Sequence, residues 1–377
     1  MFVINDTAFF VSHRLPLALG AQEAGFEVHL AALDAGRLGE IQDHGIAYHR
    51  LEVDRTGVNP WHDFQHFRGV LQVLRMVRPT IVHAVTIKPV IYAGIAARLM
   101  GVPALVSAVS GLGFVFADGE DQRRFLRHLV WPLYRIALGH RNSRAIFQNP
   151  DDRRYFVQAK LIDPERAVLI RGSGVDPSIF VPHPEPPGRP VVVLPARLFW
   201  EKGVKEFVEA AQILRQGGSD ARFVLVGEPP AHIQASVPRA TIERWARQGV
   251  VEWWGYRPDM PEVYARCHIV CLPSYYREGI PRALIEAASC GRPIVTTDAP
   301  GCREVVRHGE SGLLVPPRSA TALAEALRTL LADPERRIRM GRQGRALATT
   351  EFALDRVVGA TLEVYQNLCG RRPARGE

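Results

Sequence analysis

The sequence predicts an α/β protein of two doubly wound, Rossmann-like domains facing each other across a cleft. Three observations carry that expectation. Short β-branched runs alternate with longer helical-period stretches along the whole chain, the pattern of parallel sheets covered by helices on both faces. At 377 residues the chain exceeds one ordinary hydrophobic core and suits two domains of about 150–200 residues. Residues 175–190, VDPSIFVPHPEPPGRP, hold six prolines in 16 positions; proline neither continues a helix nor pairs in a central strand, so this stretch reads as a linker.

Strands are expected at 2–5, 27–32, 48–51, 81–84, 104–108, 145–148 and 168–171 in the first half. In the second half they are expected at 191–196, 222–226, 250–254, 269–272, 293–296 and 312–315. Helical stretches lie between them, among them 13–24, 61–77 and 89–100, and a last amphipathic helix spans 351–369. The domains are then 1–175 and 191–350, with the last helix packing back on the first. The first strand looks one or two residues short for a buried central strand, as an upstream start or a clipped edge would leave it. In open sheets of this kind ligands bind outside the carboxyl ends of the strands.

Composition narrows the class. The chain is 47% hydrophobic and 23% charged, a globular balance. Net charge is +8, with 20 basic and 16 acidic residues through position 175 and 27 and 23 after it. Spread positive charge suits a phosphate-bearing ligand or an anionic membrane better than nucleic acid. Cys267, Cys271, Cys290, Cys302 and Cys369 make no CxxC pair and read as reduced thiols. Residues 99–117 carry no charge over 19 positions. Their glycines, proline and serines favour a buried strand and its turn over a membrane span.

The chemistry-bearing residues concentrate between 197 and 286. ARLFWEKGV (196–204) places Arg197 and Lys202 between a strand and a helix. A guanidinium fork, an ammonium and a helix N-terminus make a diphosphate site; a surface salt-bridge pair is the competing reading. Glu278 stands in a loop and Glu286 eight residues on, in the helix that the loop starts near Gly279. If both were helical they would be roughly 12 Å apart. That is wider than the roughly 5–9.5 Å of glycosidase carboxylate pairs, so two binding carboxylates with separate tasks are expected.

Arg197, Lys202, Glu278 and Glu286, with EGIPRALIEAASCGRPIVTTDAPG around them, resemble the family 4 retaining glycosyltransferases of the GT-B fold. FVLVGE (223–228), HGESGLLVPP (308–317), FFVSHRLPLA (9–18), IVHAVTIKP (81–89) and SGLGFVF (110–116) extend the likeness over nearly the whole chain. Among subgroups the chain is most similar to bacterial enzymes that add N-acetylhexosamine to undecaprenyl-diphosphate-linked sugars. The resemblance implies a nucleotide-sugar donor, a UDP-N-acetylhexosamine, and a lipid-linked glycan acceptor, at the cytoplasmic face of the plasma membrane. It implies that Arg197 and Lys202 neutralise the donor diphosphate, that Glu278 accepts from the transferred sugar and that Glu286 accepts from the ribose. Gly279, Ile280, Pro281 and Gly227 would complete the donor site. Ser12, His13, Arg14, His83, Ser110, Gly111 and Gly113 are the acceptor or phosphate candidates of the first domain, His83 being as readable as a structural histidine at a strand end. His13 is expected at the start of the first helix. Relatives carry a histidine before the glycine pair where this chain has Ser110, so no histidine role is carried to that position.

No Asp-x-Asp sits at a convincing strand end, and DGED (118–121) reads as a solvated loop, so no cofactor and no metal are expected. SGLGFVF and RGSGVD are not GxGxxG, which counts against a dinucleotide oxidoreductase. Residues 122–144 carry six arginines and no acid, interleaved with apolar residues. They suit a helix on an anionic bilayer or an ordinary surface helix, with Pro132 expected to break or kink it. Two rivals remain: a nucleotide-sugar epimerase of the same architecture, which would need a base at the sugar C2, and a non-catalytic membrane- or glycan-binding module.

Overall fold

The computed structural model describes residues 1–52, 60–111, 121–230, 233 and 235–370, with the side chains of residues 60 and 121–129 left aside. The chain divides into two compact units, one of Met1–Ser173 with Leu354–Glu377, the other of Gly174–Ala353.

The first unit comprises β1 (Phe2–Asp6), α1 (Thr7–His13), α2 (Leu15–Glu23), β2 (His29–Leu33), α3 (Leu38–Asp43), β3 (Ala47–Arg50), α4 (Pro60–Val77), β4 (Ile81–Val85), α5 (Ile87–Leu99), β5 (Ala104–Val109), α6 (Asp121–Leu138), β6 (Ser143–Phe147), α7 (Pro150–Gln158) and β7 (Ala167–Leu169). The second comprises β8 (Val191–Pro195), α8 (Val204–Gln216), β9 (Arg222–Val226), α9 (Arg239–Arg247), β10 (Glu252–Trp253), α10 (Met260–Ala265), β11 (Ile269–Leu272), α11 (Arg282–Ser289), β12 (Ile294–Thr297), β13 (Gly312–Val315), α12 (Ala320–Ala332) and α13 (Pro334–Glu351). The last helix, α14 (Leu354–Cys369), packs on α2 and β5 of the first unit.

The first sheet runs β3-β2-β1-β4-β5-β6-β7 and the second β10-β9-β8-β11-β12-β13; every pairing is parallel. Parallel strands buried on both faces read as unbroken apolar runs, as Val191–Leu194 do at 0–4% exposure. Helices cover both faces of the first sheet. One core joins Val70, Val90 and Leu105 to Tyr134, and the other joins Phe10, Leu17 and Val106 to Tyr365. In each sheet the order reverses beside the first strand, between β1 and β4 and between β8 and β11. These are the switch points at whose carboxyl ends ligands bind.

Several local expectations are corrected. The helix expected over 13–24 is α2, which starts at Leu15 with Pro16 in its first turn, and an unexpected helix precedes it: Asp6 caps α1 by accepting from the Phe9 amide at 2.8 Å. His13 therefore ends the first helix instead of starting it. α6 runs unbroken through Pro132. The missing hydrogen bond is offset where Tyr134, Ala137 and Leu138 anchor the following turn in the core. α11 begins at Arg282, not near Gly279, because Pro281 occupies its cap in an extended conformation. β10 is shorter than expected, two residues on the sheet edge.

Residues 175–190 pack on the second unit. Phe180 is buried in its core, and Arg337 holds Glu185 with a fork of two 2.8 Å bonds. Arg345 donates to the carbonyls of Phe180 and Pro177. Proline removes amide donors, so this segment is held largely through its carbonyls and the Glu185 carboxylate, with the Val175 amide donating to the Phe352 carbonyl and Arg189 to that of Asp220. The five cysteines are unbridged. Among the described residues no helix is long and apolar enough to cross a membrane.

Candidate active site

The second unit assembles its charged residues at the switch point. β8 ends at Pro195 and hands the chain to Arg197; a 3-10 turn over Trp200–Lys202 and Gly203 then lead into α8. The neighbouring strand β11 ends at Leu272 and releases the loop 273–281 that carries Glu278. Glycine lets these loops approach. A Cβ on Gly203, whose φ is +77°, would stand 2.2 Å from the Pro273 carbonyl oxygen, and one on Gly301 (φ +84°) 2.1 Å from that of Gly279. The Tyr275 amide donates to the Glu201 carbonyl at 3.0 Å, and the Thr297 hydroxyl donates to the Ser274 carbonyl. The three loops after β8, β11 and β12 are thus held in close contact.

On that frame Lys202 Nζ lies 2.6 Å from Glu278 Oε1, the two side chains only 15% and 12% exposed. Ser274 Oγ donates to the same carboxylate oxygen at 2.8 Å, and the ammonium stands 5.9 Å from the Tyr276 ring centroid. Arg197 has a different setting: it is exposed, with its guanidinium 5.1 Å over the Phe199 ring. The structure therefore joins Lys202 to Glu278 and leaves Arg197 on the solvent side.

Glu286 sits in α11 at 7% exposure. Burial pushes its carboxyl above the usual range, while Arg282 one turn back, 2.7 Å from Oε1, and the Tyr264 hydroxyl, 3.0 Å from Oε2, favour the charged form. A carboxylate has about four lone-pair positions, so these two partners leave acceptor capacity. Gly279 and Ile280 lie in the loop before α11, Ile280 buried, and Pro281 caps it. Gly227 has a packing reason to be glycine: its φ is +129° and a Cβ would meet the Ala196 carbonyl oxygen at 1.9 Å. Its own carbonyl accepts from the Trp253 indole at 2.8 Å.

The first-unit candidates lie around the other switch point. Ser12 Oγ is back-bonded to the Ala8 carbonyl at 2.8 Å and contacts His13 Nδ1 at 2.7 Å; the His13 ring stacks on Phe9. Arg14 is buried. His83, in mid-β4, is buried against Phe2 and hydrogen-bonded through Nδ1 to the Tyr365 hydroxyl. Ser110 and Gly111 follow β5, Gly111 at φ +105°; the Ser110 hydroxyl is buried without a partner. Gly113 lies outside the described residues, as do residues 118–120 of DGED.

Sequence reasoning missed Ser274, Tyr264, Arg282 and Thr86. Arg282 was within reach as the i−4 neighbour of Glu286. Tyr264 was not, since 22 residues separate it from its carboxylate. Thr86 follows β4 at φ 75° and ψ 170°, a region almost reserved for glycine, and its hydroxyl has no partner. Backbone strain of this kind clusters at ligand clamps and active sites. On α6, Leu133 and Ile136 are 37% and 45% exposed beside the exposed Arg135 and Arg141, whereas the side chains of Arg123, Arg124 and Arg127 lie outside the described residues.

Comparison with known proteins covers both units. Residues 175–347 match the family model described as glycosyl transferases group 1, and residues 1–149 match glycosyl transferase 4-like. The chain is 25% identical over 354 residues to the N,N'-diacetylbacillosaminyl-diphospho-undecaprenol alpha-1,3-N-acetylgalactosaminyltransferase of Campylobacter jejuni, covering 90% of this chain and 91% of the relative. It is 24% identical to the Escherichia coli UDP-Gal:alpha-D-GlcNAc-diphosphoundecaprenol alpha-1,3-galactosyltransferase, covering 77% and 76%. In structure it is similar to Anabaena HepE in complex with UDP, with a TM-score of 0.77 at 21% identity over 97% and 99% of the two chains. Sucrose-phosphate synthase from Thermosynechococcus elongatus gives a TM-score of 0.80 at 20% identity over 98% and 99%. These likenesses establish the GT-B fold.

Proposed function

Because this chain belongs to the glycosyltransferases of the group 1 and 4-like families, we propose that it moves an N-acetylhexosamine from a UDP-sugar, with retention, to a lipid-diphosphate-linked glycan. The donor binds the second unit at the carboxyl ends of β8 and β11. The observation that carries this reading is the Lys202–Glu278 pair, which bridges those two strand ends at the switch point.

As the bond from the sugar C1 to the diphosphate breaks, negative charge grows on the departing phosphate. Lys202, held in place by Glu278 and lying inside the site, meets that charge without rearranging, and exposed Arg197 adds a mobile second cation. An ammonium has three donors, so Lys202 reaches a phosphate oxygen while still bonded to Glu278. The Glu278 carboxylate, with Oε1 engaged by Lys202 and Ser274, keeps acceptor positions for a sugar hydroxyl. Glu286 is oriented by Arg282 and Tyr264 for the ribose hydroxyls. These two cations supply the leaving-group charge by themselves, so treatment with a chelator is expected to leave transfer unchanged.

The first unit holds the acceptor; that the acceptor is lipid-linked is supported by the undecaprenyl-linked substrates in the names of two relatives. The basic and apolar end of α6, with Leu133, Arg135 and Ile136, rests on an anionic membrane surface at the cytoplasmic face. The test is isothermal titration with UDP, followed by transfer from a panel of UDP-sugars to a lipid-diphosphate acceptor, with product mass and anomeric configuration measured. Absence of binding by any nucleoside diphosphate sinks the reading, as does unchanged transfer after Arg197→Ala and Lys202→Ala are combined.

A further inference from the structure

Among the described residues of the first unit, the buried guanidinium of Arg14 has no carboxylate partner. Arg14 closes α1 and precedes α2, and only 6% of it is exposed. Burial pushes its pKa down to about 10, which still leaves it charged at neutral pH. Its Nη1 donates to the His13 carbonyl at 3.3 Å, a bond to a dipole and not to a charge, and its Nε has no partner.

Arg14 lines a small cavity with Leu17, His83, Gln148, Gly172 and Thr361. No carboxylate is among the described residues around it. His83 is 2% exposed, and burial beside Arg14 holds its ring in the neutral form. With Nδ1 paired to the Tyr365 hydroxyl, a neutral ring whose Nδ1 accepts carries its proton on Nε2, and Nε2 has no partner. α2 has no side-chain cap, and Leu17 in its first turn forms part of the wall, so the positive end of that helix adds to the same field. The cavity leaves about 10 Å3 for the centre of a water-sized particle, which is room for a single atom of that size. A guanidinium charged at neutral pH whose Nε lacks an acceptor, a His83 Nε2 without a partner and one-atom room together call for one anionic atom.

We propose that Arg14 and His83 form an anion subsite of the first unit, which takes a small inorganic anion or one oxygen of a phosphate group. In the transferase that oxygen belongs to the acceptor's diphosphate, a point that rests on the function proposed above.

The test compares thermal unfolding of the wild-type chain, Arg14→Gln and Arg14→Met in sodium gluconate, with and without chloride, inorganic phosphate or pyrophosphate. The wild type is expected to gain unfolding temperature saturably with at least one of these anions. Both variants are expected to lose that response, and in gluconate to unfold no lower than the wild type, because they remove an uncompensated buried charge. A structural arginine predicts the reverse, so lower unfolding temperatures of both variants in gluconate overturn the proposal, as does an anion response equal to that of the wild type. A second arm measures kcat/KM for a lipid-diphosphate acceptor alongside UDP binding. A drop of tenfold or more with UDP binding unchanged assigns the subsite to the acceptor. Unchanged kinetics with a lost anion response assigns it to a free inorganic anion. Absence of transfer by the wild type would count against the proposed function alone, since the unfolding arm does not depend on it.

Discussion

Lys202 and Arg197 read in the sequence as two equivalent cations, and the structure gives them different neighbours. Lys202 balances Glu278 at 2.6 Å in a largely enclosed position, while Arg197 lies in solvent over Phe199. Both are expected to lower kcat by roughly 100–1000-fold when changed to Ala, the scale of one well-placed donor to a developing oxyanion. Their stability costs should differ. Arg197→Ala is expected within about 0.5 kcal/mol of wild type. Lys202→Ala removes the ammonium that balances Glu278 and should cost roughly 2–3 kcal/mol, read as a lower urea midpoint at unchanged slope. Equal midpoints for the two variants would refute the asymmetry. Thr86 offers the opposite trade: its backbone strain means Thr86→Gly should raise stability by about 1 kcal/mol while slowing transfer. His83 supplies a pH dependence. Its pKa is depressed in the folded chain, chiefly by burial, so below its ordinary value of 6.5 the unfolded chain binds the extra proton. The stability it contributes is complete above that pH and is lost as pH falls toward the depressed value. A series of urea titrations should find this acid loss shallower in His83→Gln.

At the scale of elements, the site is a set of strand-end loops held at backbone contact. Gly301 tests that description, because any side chain there must displace the Glu278–Gly279 peptide. Gly301→Ala is expected to cost roughly 3 kcal/mol or more and to reduce transfer, combining the positive-φ penalty with a backbone clash. Gly188 also has a positive φ, +97°, but nothing lies within 4 Å of its would-be Cβ. Gly188→Ala should cost only about 1 kcal/mol and leave transfer alone. Comparable costs at the two positions would show that conformation alone, and not loop contact, requires the glycine.

For the whole molecule, chain order and packing order part company. α14 is last in sequence yet contributes Val357, Val364, Tyr365 and Leu368 to the first unit's core. A chain ending at residue 353 should therefore lose cooperative folding in the first unit while the second survives limited proteolysis. Equal protease resistance of both units in that truncation would contradict the assignment. Residues 175–190 behave similarly: Arg337, only 4% exposed, secures them through Glu185 and the carbonyls of Leu330 and Leu331. Removing that buried fork with Arg337→Ala is expected to cost roughly 3–5 kcal/mol.

The alternation of apolar strands with amphipathic helices, the parallel sheets, the placement of Arg197, Lys202 and Glu278 near strand ends and that of Glu286 in the following helix were all legible in the sequence. The elements follow from local burial, which leaves unbroken apolar runs in strands covered on both faces and a period of 3.6 in the helices. Helix α1 was not legible, because its cap Asp6 follows directly on the first strand and the helical pattern becomes readable only at His13. What the sequence left open was which distant residues meet. Lys202 finds Glu278 only because β11 lies beside β8, Tyr264 finds Glu286 across 22 residues, and Tyr365 finds His83 across 282. Strand order and helix packing decide such pairs, and neither leaves a periodic trace. The sequence determined which groups sit at the carboxyl ends of the strands; the tertiary structure decided which cation is already paired with a carboxylate and which, like Arg14, is buried with no carboxylate partner among the described residues.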